Sequence, residues 1–396
     1  MTSHITQFSP DLGRLGVTMR LLSLALFVSL GLASAQTCAG FPRLAVTTPS
    51  GFCVGIISRD LRFPRGLLPL PSGDLLVVEM AGWSANRGSL AWLHKQGNQY
   101  RIQRLLNGLD RPHGIALGQD GRVYVGEVGR IFRFDPEASQ PRKEYIIHDL
   151  PGNGRHPLTQ MVFDGAGHLF VNVGSASDNC QQDKGKPACA EAGRNGLIRR
   201  YTFQWPQGSV RGWSVYATGL RNSMALAIHP SGTLLQGENS RDAIQAADPR
   251  ISDEAHPADE LNVVVQGTHY GWPYCYENGK NAPEFPRYNC AQTRNPTLLL
   301  PAHAAPLGMA YLSAQSELGG NWLVVGYHGY RKTGHRLVAF RVDGRGIPSG
   351  PAVELIGNWV FPDGKLGAPV DMKVGPDGKI YITDDRNGML LVFSRG

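Results

Sequence analysis

The chain has 396 residues, a formal net charge of +7 and 18% charged residues. That is ample length for a sizeable core and too apolar a composition for a disordered polypeptide. The modest positive balance suits an anionic ligand, but there is no basic run and no interleaving of basic with aromatic residues, so a nucleic-acid binder is excluded.

The first predicted element is a leader. Arg20 precedes the apolar run from Leu21 to Leu32, and Ala33-Ser34-Ala35 supplies a small-residue cleavage site. This pattern predicts a signal peptide over 1–35, with Met19 as a second candidate start, and a mature chain over 36–396 in the periplasm or outside the cell. The run is too short for a stable anchor, and no later stretch is apolar enough to span a membrane. Cleavage removes Arg14, Arg20 and Asp11 and leaves the mature chain basic. All six cysteines lie downstream of the leader, an even number in an exported chain. Six cysteines allow fifteen connectivities. Local pairing of Cys38 with Cys53, Cys180 with Cys189 and Cys275 with Cys290 is favoured, because each pair brackets a loop. No C-x-x-C spacing occurs, which argues against zinc and thiol redox chemistry.

Six stretches then repeat one shape, in which an apolar run, a tight turn and a second apolar run follow one another. They begin at Arg65, His113, Thr159, Asn222, Leu307 and Val370. Their turns carry Gly, Asp or Ser, which enter tight turns at little steric cost. One hairpin cannot bury both of its faces, whereas a closed ring of such units can. The prediction is therefore all-β, a six-bladed β-propeller. About 40–50 residues make one four-stranded blade, so the wider gaps carry insertions. These fall at Asp178 to Arg194, Arg241 to Asp259, Tyr274 to Pro301 and Gly329 to Gly334, and are expected to wall a site at one mouth of the ring.

The most specific run is Asp259-Glu260-Leu261-Asn262, followed by Gly267-Thr268-His269-Tyr270-Gly271-Trp272-Pro273. Before it stand Gly219-Leu220-Arg221-Asn222 and Gly237-Glu238-Asn239-Ser240-Arg241-Asp242. In these motifs and their order the chain resembles the soluble quinoprotein glucose and sorbosone dehydrogenases, and the sorbosone branch most. The resemblance extends over nearly the whole mature chain. It implies a six-bladed propeller, pyrroloquinoline quinone (PQQ) and Ca²⁺ as cofactors, and hydride transfer from an aldose or sorbosone-type sugar.

The resemblance also implies roles for individual residues. His156 would be the base that removes a hydroxyl proton, a task suited to imidazole. Arg221 and Asn222 would stabilise negative charge on the reduced quinone. Carbonyls around Gly237 and Glu238 would hold a Ca²⁺ bridging to the cofactor, and Glu260 with the Tyr270 carbonyl a second one. PQQ carries three carboxylates, and the candidate cations and donors are Arg111, His113, His303, His328, Arg331 and Lys332. Ala368 and Gln160 depart from the pattern, since both stand where the sorbosone branch commonly has Arg. Electrons would leave to a separate acceptor, a diffusible compound or a small cytochrome, because there is no C-x-x-C-H haem motif. Nicotinamide, P-loop, zincin and α/β-hydrolase motifs are missing. Two other readings stay open. One is a metal-dependent lactonase-like propeller using Glu79, Glu127 and Glu238, and the other is a non-catalytic binding propeller that has lost PQQ.

Overall fold

A computed structural model describes residues 37–396, so the leader expected over 1–35 lies outside the described residues. Six antiparallel sheets of four successive strands form the blades. Each predicted hairpin supplies the first and second strands of one blade. These are Pro64–Pro69 with Leu75–Glu79, Ile115–Leu117 with Val123–Glu127, and Met161–Phe163 with Leu169–Val173 in blades 1 to 3. Ala225–Ile228 with Leu234–Glu238, Pro306–Leu312 with Trp322–Tyr327, and Pro369–Val374 with Ile380–Asp384 follow in blades 4 to 6. The second strands of all blades but the fifth are wholly buried, as a strand with a sheet packed on both faces must be. That is why they read as continuous apolar runs.

The ring closes twice. The N-terminal strand Phe52–Ser58 becomes the outer strand of blade 6 by pairing with Met389–Arg395, so the last blade is built from both ends of the chain. At the centre, every first strand touches the next around the full circle. Glycine permits that approach. The Gly66 amide donates to the His113 carbonyl at 3.0 Å and the Gly114 amide to the Thr159 carbonyl at 2.9 Å. A Cβ on Gly66 would sit 2.3 Å from the His113 oxygen, and one on Gly308 2.3 Å from the Val370 oxygen.

Because strands alternate in direction, the loop entering each blade and the loop joining its second and third strands lie on the same face of the ring. Three of the four predicted insertions are second-to-third loops and reach the mouth directly. The fourth, Tyr274 to Pro301, lies between the third and fourth strands of blade 4 and starts from the opposite face. It reaches the mouth because Thr268–His269 runs parallel to Ala217 and Thr218 as a fifth strand on blade 3. All three local disulfides form, Cys38–Cys53, Cys180–Cys189 and Cys275–Cys290. The last two, with Tyr274 and Phe285, make a small apolar cluster that ties the insertions together. Among the described residues no helix is long and apolar enough to cross a membrane.

Gly66→Ala is expected to destabilise the ring by about 2 kcal/mol or more, since backbone must shift to admit the methyl group. Gly165→Ala, whose added Cβ meets nothing within 4 Å, is the control. Thermal midpoints of the two variants check this, and equal midpoints would contradict it.

Candidate functional site

One apolar side chain or more from each blade meets on the ring axis: Phe63 and Met80, Val128, Leu158, Met224, Leu307 and Val370. Above this plug lies a cavity of about 350 Å³. Its polar wall comes from the blade-entry loops, with Arg155, His156 and Asn222, and from the second-to-third loops, with Asn239, His328, Asp385 and Arg386. Apolar floor and convergent polar walls are the usual make-up of a small-molecule site.

His156 has a defined tautomer. The Ser175 hydroxyl donates its proton to the Ser177 carbonyl at 2.6 Å, so its oxygen must accept from His156 Nδ1 at 2.8 Å. Nδ1 therefore carries the ring proton, and Nε2 is left bare, without a partner among the described residues. Burial, then the charges of Arg221 and Arg155, lower the His156 pKa to about 2. The ring is neutral at working pH, the form a proton acceptor needs.

Asn222 lies alongside. Its backbone amide donates to Glu238 Oε1 at 3.1 Å, while its side-chain oxygen is buried with no partner among the described residues. An orphaned acceptor in a cavity wall calls for a donor or a cation from a ligand. Three guanidinium groups overlook the same space. Arg65 is buried, paired with Asp385, and donates through Nε to His113 Nδ1 at 3.0 Å. Arg155 pairs with Asp242 at 3.2 Å, and Arg386 pairs with no carboxylate among the described residues. His328 Nε2 meets Asp385 Oδ1 at 3.0 Å. The arginines and the apolar floor suit a flat ligand with several carboxylates.

A second, smaller cavity of about 30 Å³ lies behind Arg221 and is lined by Glu238, Glu260 and Tyr270. Glu238 and Glu260 are directly paired across adjacent strands. Desolvation by burial raises both to about 8, and the Glu238 charge adds to the shift of Glu260. Asp259 is raised by burial to about 7. The Tyr270 hydroxyl is engaged by Val263 and Val265, while its carbonyl accepts no hydrogen bond among the described residues. Two buried carboxylates and a free carbonyl around room for one small sphere are a donor set for a hard cation.

The remaining sequence-derived candidates fall elsewhere. Arg221 is buried between the two cavities rather than facing the larger one. Its guanidinium donates to the Asp178 and Asn239 carbonyls at 3.0 and 2.8 Å and pairs with Asp178 and Asp242. Arg111 is folded onto the adjacent Asp110 at 2.7 Å. His113 is buried as the acceptor for Arg65, and burial holds it neutral. His303 and Arg331 both bind the Asp253 carbonyl, at 2.5 and 3.0 Å, and neither lines the cavity. Gly237 is inside a strand opposite Leu261 and lines neither cavity. Lys332 pairs with Glu254 at 2.9 Å.

Glu79 is held by Arg62, Arg104 and Ser89, and Glu127 by Arg130 and Tyr145. These two do not converge with Glu238 on an axial metal, which removes the ligand set of the lactonase-like reading. The two departures from pattern are also structural. Ala368 has no exposed surface, and Gln160 bridges the Met224 carbonyl and the Met161 amide within the inner ring. Arg65 and Arg386 supply charge that was not expected at their positions. The chain offered one signal for Arg386, its place directly after the pair Asp384-Asp385 at the end of the sixth hairpin repeat.

The TrAA12-like family profile matches residues 46–289, more than half of the chain. The chain belongs to this family. Aldose sugar dehydrogenase YliI of Escherichia coli is 24% identical over 87% of this chain and 94% of its own length. A pyrroloquinoline quinone-dependent pyranose dehydrogenase of Coprinopsis cinerea is 24% identical over 89% of this chain, which spans about half of that longer protein. The holo form of the PQQ domain of pyranose dehydrogenase from the same fungus superposes with a TM-score of 0.72 and 21% identity. That superposition covers 91% of this chain and all of the domain.

The raised carboxylates carry a pH signature. A group whose folded pKa exceeds its unfolded value of 4.5 favours folding fully below 4.5 and loses that contribution as pH rises through its folded value, here about 8. Cation-free protein is therefore expected to lose stability between pH 5 and 8. Glu260→Gln should flatten that decline. Denaturation midpoints across this range check it, and an unchanged slope would contradict it.

Proposed function

We propose that this protein is an exported quinoprotein dehydrogenase that oxidises a sugar with PQQ. The observation that carries the reading is one cavity that joins the bare Nε2 of His156, the orphaned Asn222 oxygen and a set of arginines above an apolar floor. Three disulfides suit an oxidising compartment, and the proposed arrangement remains a leader over 1–35 with a propeller over 36–396. The names of the relatives support sugar oxidation and PQQ.

When bound, PQQ supplies the two-electron acceptor for a hydride from the sugar carbon. His156 Nε2 takes the proton of the hydroxyl on that same carbon, and Ser175 holds the ring in the tautomer that leaves Nε2 free. Burial, then the charges of Arg221 and Arg155, lower the basicity of His156. Asn222 would offer its side-chain oxygen, and Arg65, Arg386 and His328 would hold the anionic groups of the cofactor. Arg221 acts from behind, through Asn239 and the loop it anchors. Ca²⁺ in the second cavity would keep Glu238 and Glu260 ionised. The electron acceptor is a separate molecule.

Purified mature protein given PQQ and Ca²⁺ is expected to reduce a redox dye in a sugar-dependent way. Absence of dye reduction across common aldoses, with no PQQ retained after gel filtration, would overturn the reading and favour a binding propeller. His156→Ala is expected to cost about 10²–10⁴ in kcat, and Ser175→Ala about tenfold or more, both with PQQ retention unchanged. Activity undiminished in His156→Ala would reject the base assignment.

Calcium at a hundred times its Kd is expected to stabilise the wild type by about 2.7 kcal/mol. The gain should be larger at pH 8 than at pH 5 and lost in Glu260→Gln. Thermal shift measurements read both, and a gain equal at the two pH values would contradict this site.

A further inference from the structure

The mouth face carries a second opening, outside the axial cavity. A groove of about 440 Å³ lies over blade 6, between three segments of that blade. The loop entering the blade supplies Phe361 and Lys365. The second-to-third loop supplies Arg386, and the third strand begins with Met389. Arg59 comes from the segment that leaves the outer strand Phe52–Ser58 toward blade 1. Arg386 lines this groove and the axial cavity alike, so the two spaces share that side chain as a wall.

The charge of the groove is not compensated. Arg59 and Arg386 are exposed, and neither pairs with a carboxylate among the described residues. The Arg59 guanidinium instead approaches the Met389 sulfur, at 3.8 Å. Lys365 pairs with Asp363 at 2.8 Å, and Asp363 is the one carboxylate among the lining residues. Three cations therefore face one anion. The walls are preformed. The Phe361 amide donates to the Lys365 carbonyl at 2.8 Å, and Asn387 Nδ2 donates to the Leu366 carbonyl at 3.0 Å, which fastens the entry loop to the Arg386 loop. On the other side the Leu61 amide donates to the Gly388 carbonyl at 3.1 Å and fastens the Arg59 segment. A concavity lined by one sign of charge focuses its field on an incoming ion of the other sign. Guanidinium groups without partners are suited to anionic oxygens or nitrogens.

We propose that this groove binds a small polyanionic electron acceptor, which rests on the dehydrogenase reading above. Its volume suits a small molecule rather than the face of a protein. An acceptor seated outside the axial cavity does not have to wait for the sugar or its product to leave, and only the Arg386 side chain stands between the two spaces. Each sugar oxidised leaves the cofactor with two electrons and two protons to discharge. With ferricyanide as acceptor, two ions each take one electron and become ferrocyanide. The two protons pass to water, and the quinone form of the cofactor is restored.

The first test needs no turnover. Hexacyanocobaltate(III) has the charge and shape of ferricyanide but does not accept its electron. Titrated into protein saturated with PQQ and Ca²⁺ in a calorimeter at low salt, it is expected to bind. Arg59→Glu and Lys365→Glu should each weaken that binding about fivefold or more. Lys95→Glu makes the same charge change in the turn between the third and fourth strands of blade 1, on the opposite face, and should leave the affinity unaltered. All three positions are exposed, so folding stays intact, which thermal midpoints verify. In the second test the two groove variants are expected to raise KM for ferricyanide by a similar factor. KM for the sugar and for the cationic oxidant hexaammineruthenium(III) should not rise. No binding by the wild type, or equal affinity in the wild type and both groove variants, would overturn the site. Weakened binding with an unaltered ferricyanide KM would overturn the acceptor role. So would inorganic phosphate that displaces hexacyanocobaltate(III) yet leaves the ferricyanide rate unchanged, an outcome that would assign the groove to free phosphate. Binding that is weakened by the groove variants, in a protein that oxidises no sugar, would fail the dehydrogenase reading and keep the anion site.

Discussion

Backbone approach at the ring axis is the constraint on which everything else in this protein depends. The six first strands close in only because Gly66, Gly114 and Gly308 have no side chain where the neighbouring carbonyl passes. Their approach packs one apolar residue or more per blade into the axial plug beneath the cavity. It also fixes where the entry loops begin. His156 and Asn222 belong to adjacent blades, yet they share a wall because both lie just before a first strand. Closure by Phe52–Ser58 against Met389–Arg395 brings the two chain ends into one blade and sets Asp385 beside Arg65.

The electrostatics of the mouth are divided between its two cavities. The larger holds guanidinium groups and neutral imidazoles, and it lacks anions except Asp385, whose pKa is pushed down to about 2 with His328 and Arg65 beside it. The smaller holds carboxylates whose burial opposes their ionisation. Arg221 and Asn222 form the partition. Arg221 ties the Asp178, Asn239 and Asp242 loops together, and Asn222 touches Glu238 through its backbone while its side chain turns the other way. An anion in the larger cavity would offset its guanidinium groups, and a cation in the smaller one would offset its buried carboxylates.

Local periodicity made the fold legible. Each hairpin is a contiguous stretch with its own turn chemistry, and each disulfide closes a short loop, so both could be read from neighbouring residues. His156, Asn222 and His328 were also readable, through short motifs of fixed spacing. The cations were not. Arg65 and Asp385 meet across 320 positions, and nothing near either residue announces the other. His303 and Arg331 looked available because their partner, the Asp253 carbonyl, becomes a neighbour only through loop conformation, whereas Arg111 is taken up by the residue directly before it, Asp110. Ala368 and Gln160 suggested a weakened anion site, whereas the structure places charge on other loops of the same mouth. Ser175 escaped notice because its role depends on where its own hydroxyl proton goes.

The most direct measurement is a crystal structure of the mature protein grown with PQQ and Ca²⁺. The expected result is PQQ in the axial cavity, on the floor of Leu158, Met224 and Leu307, between His156 and Arg386. PQQ bound outside that cavity, or absent from it at saturating concentration, would contradict the account.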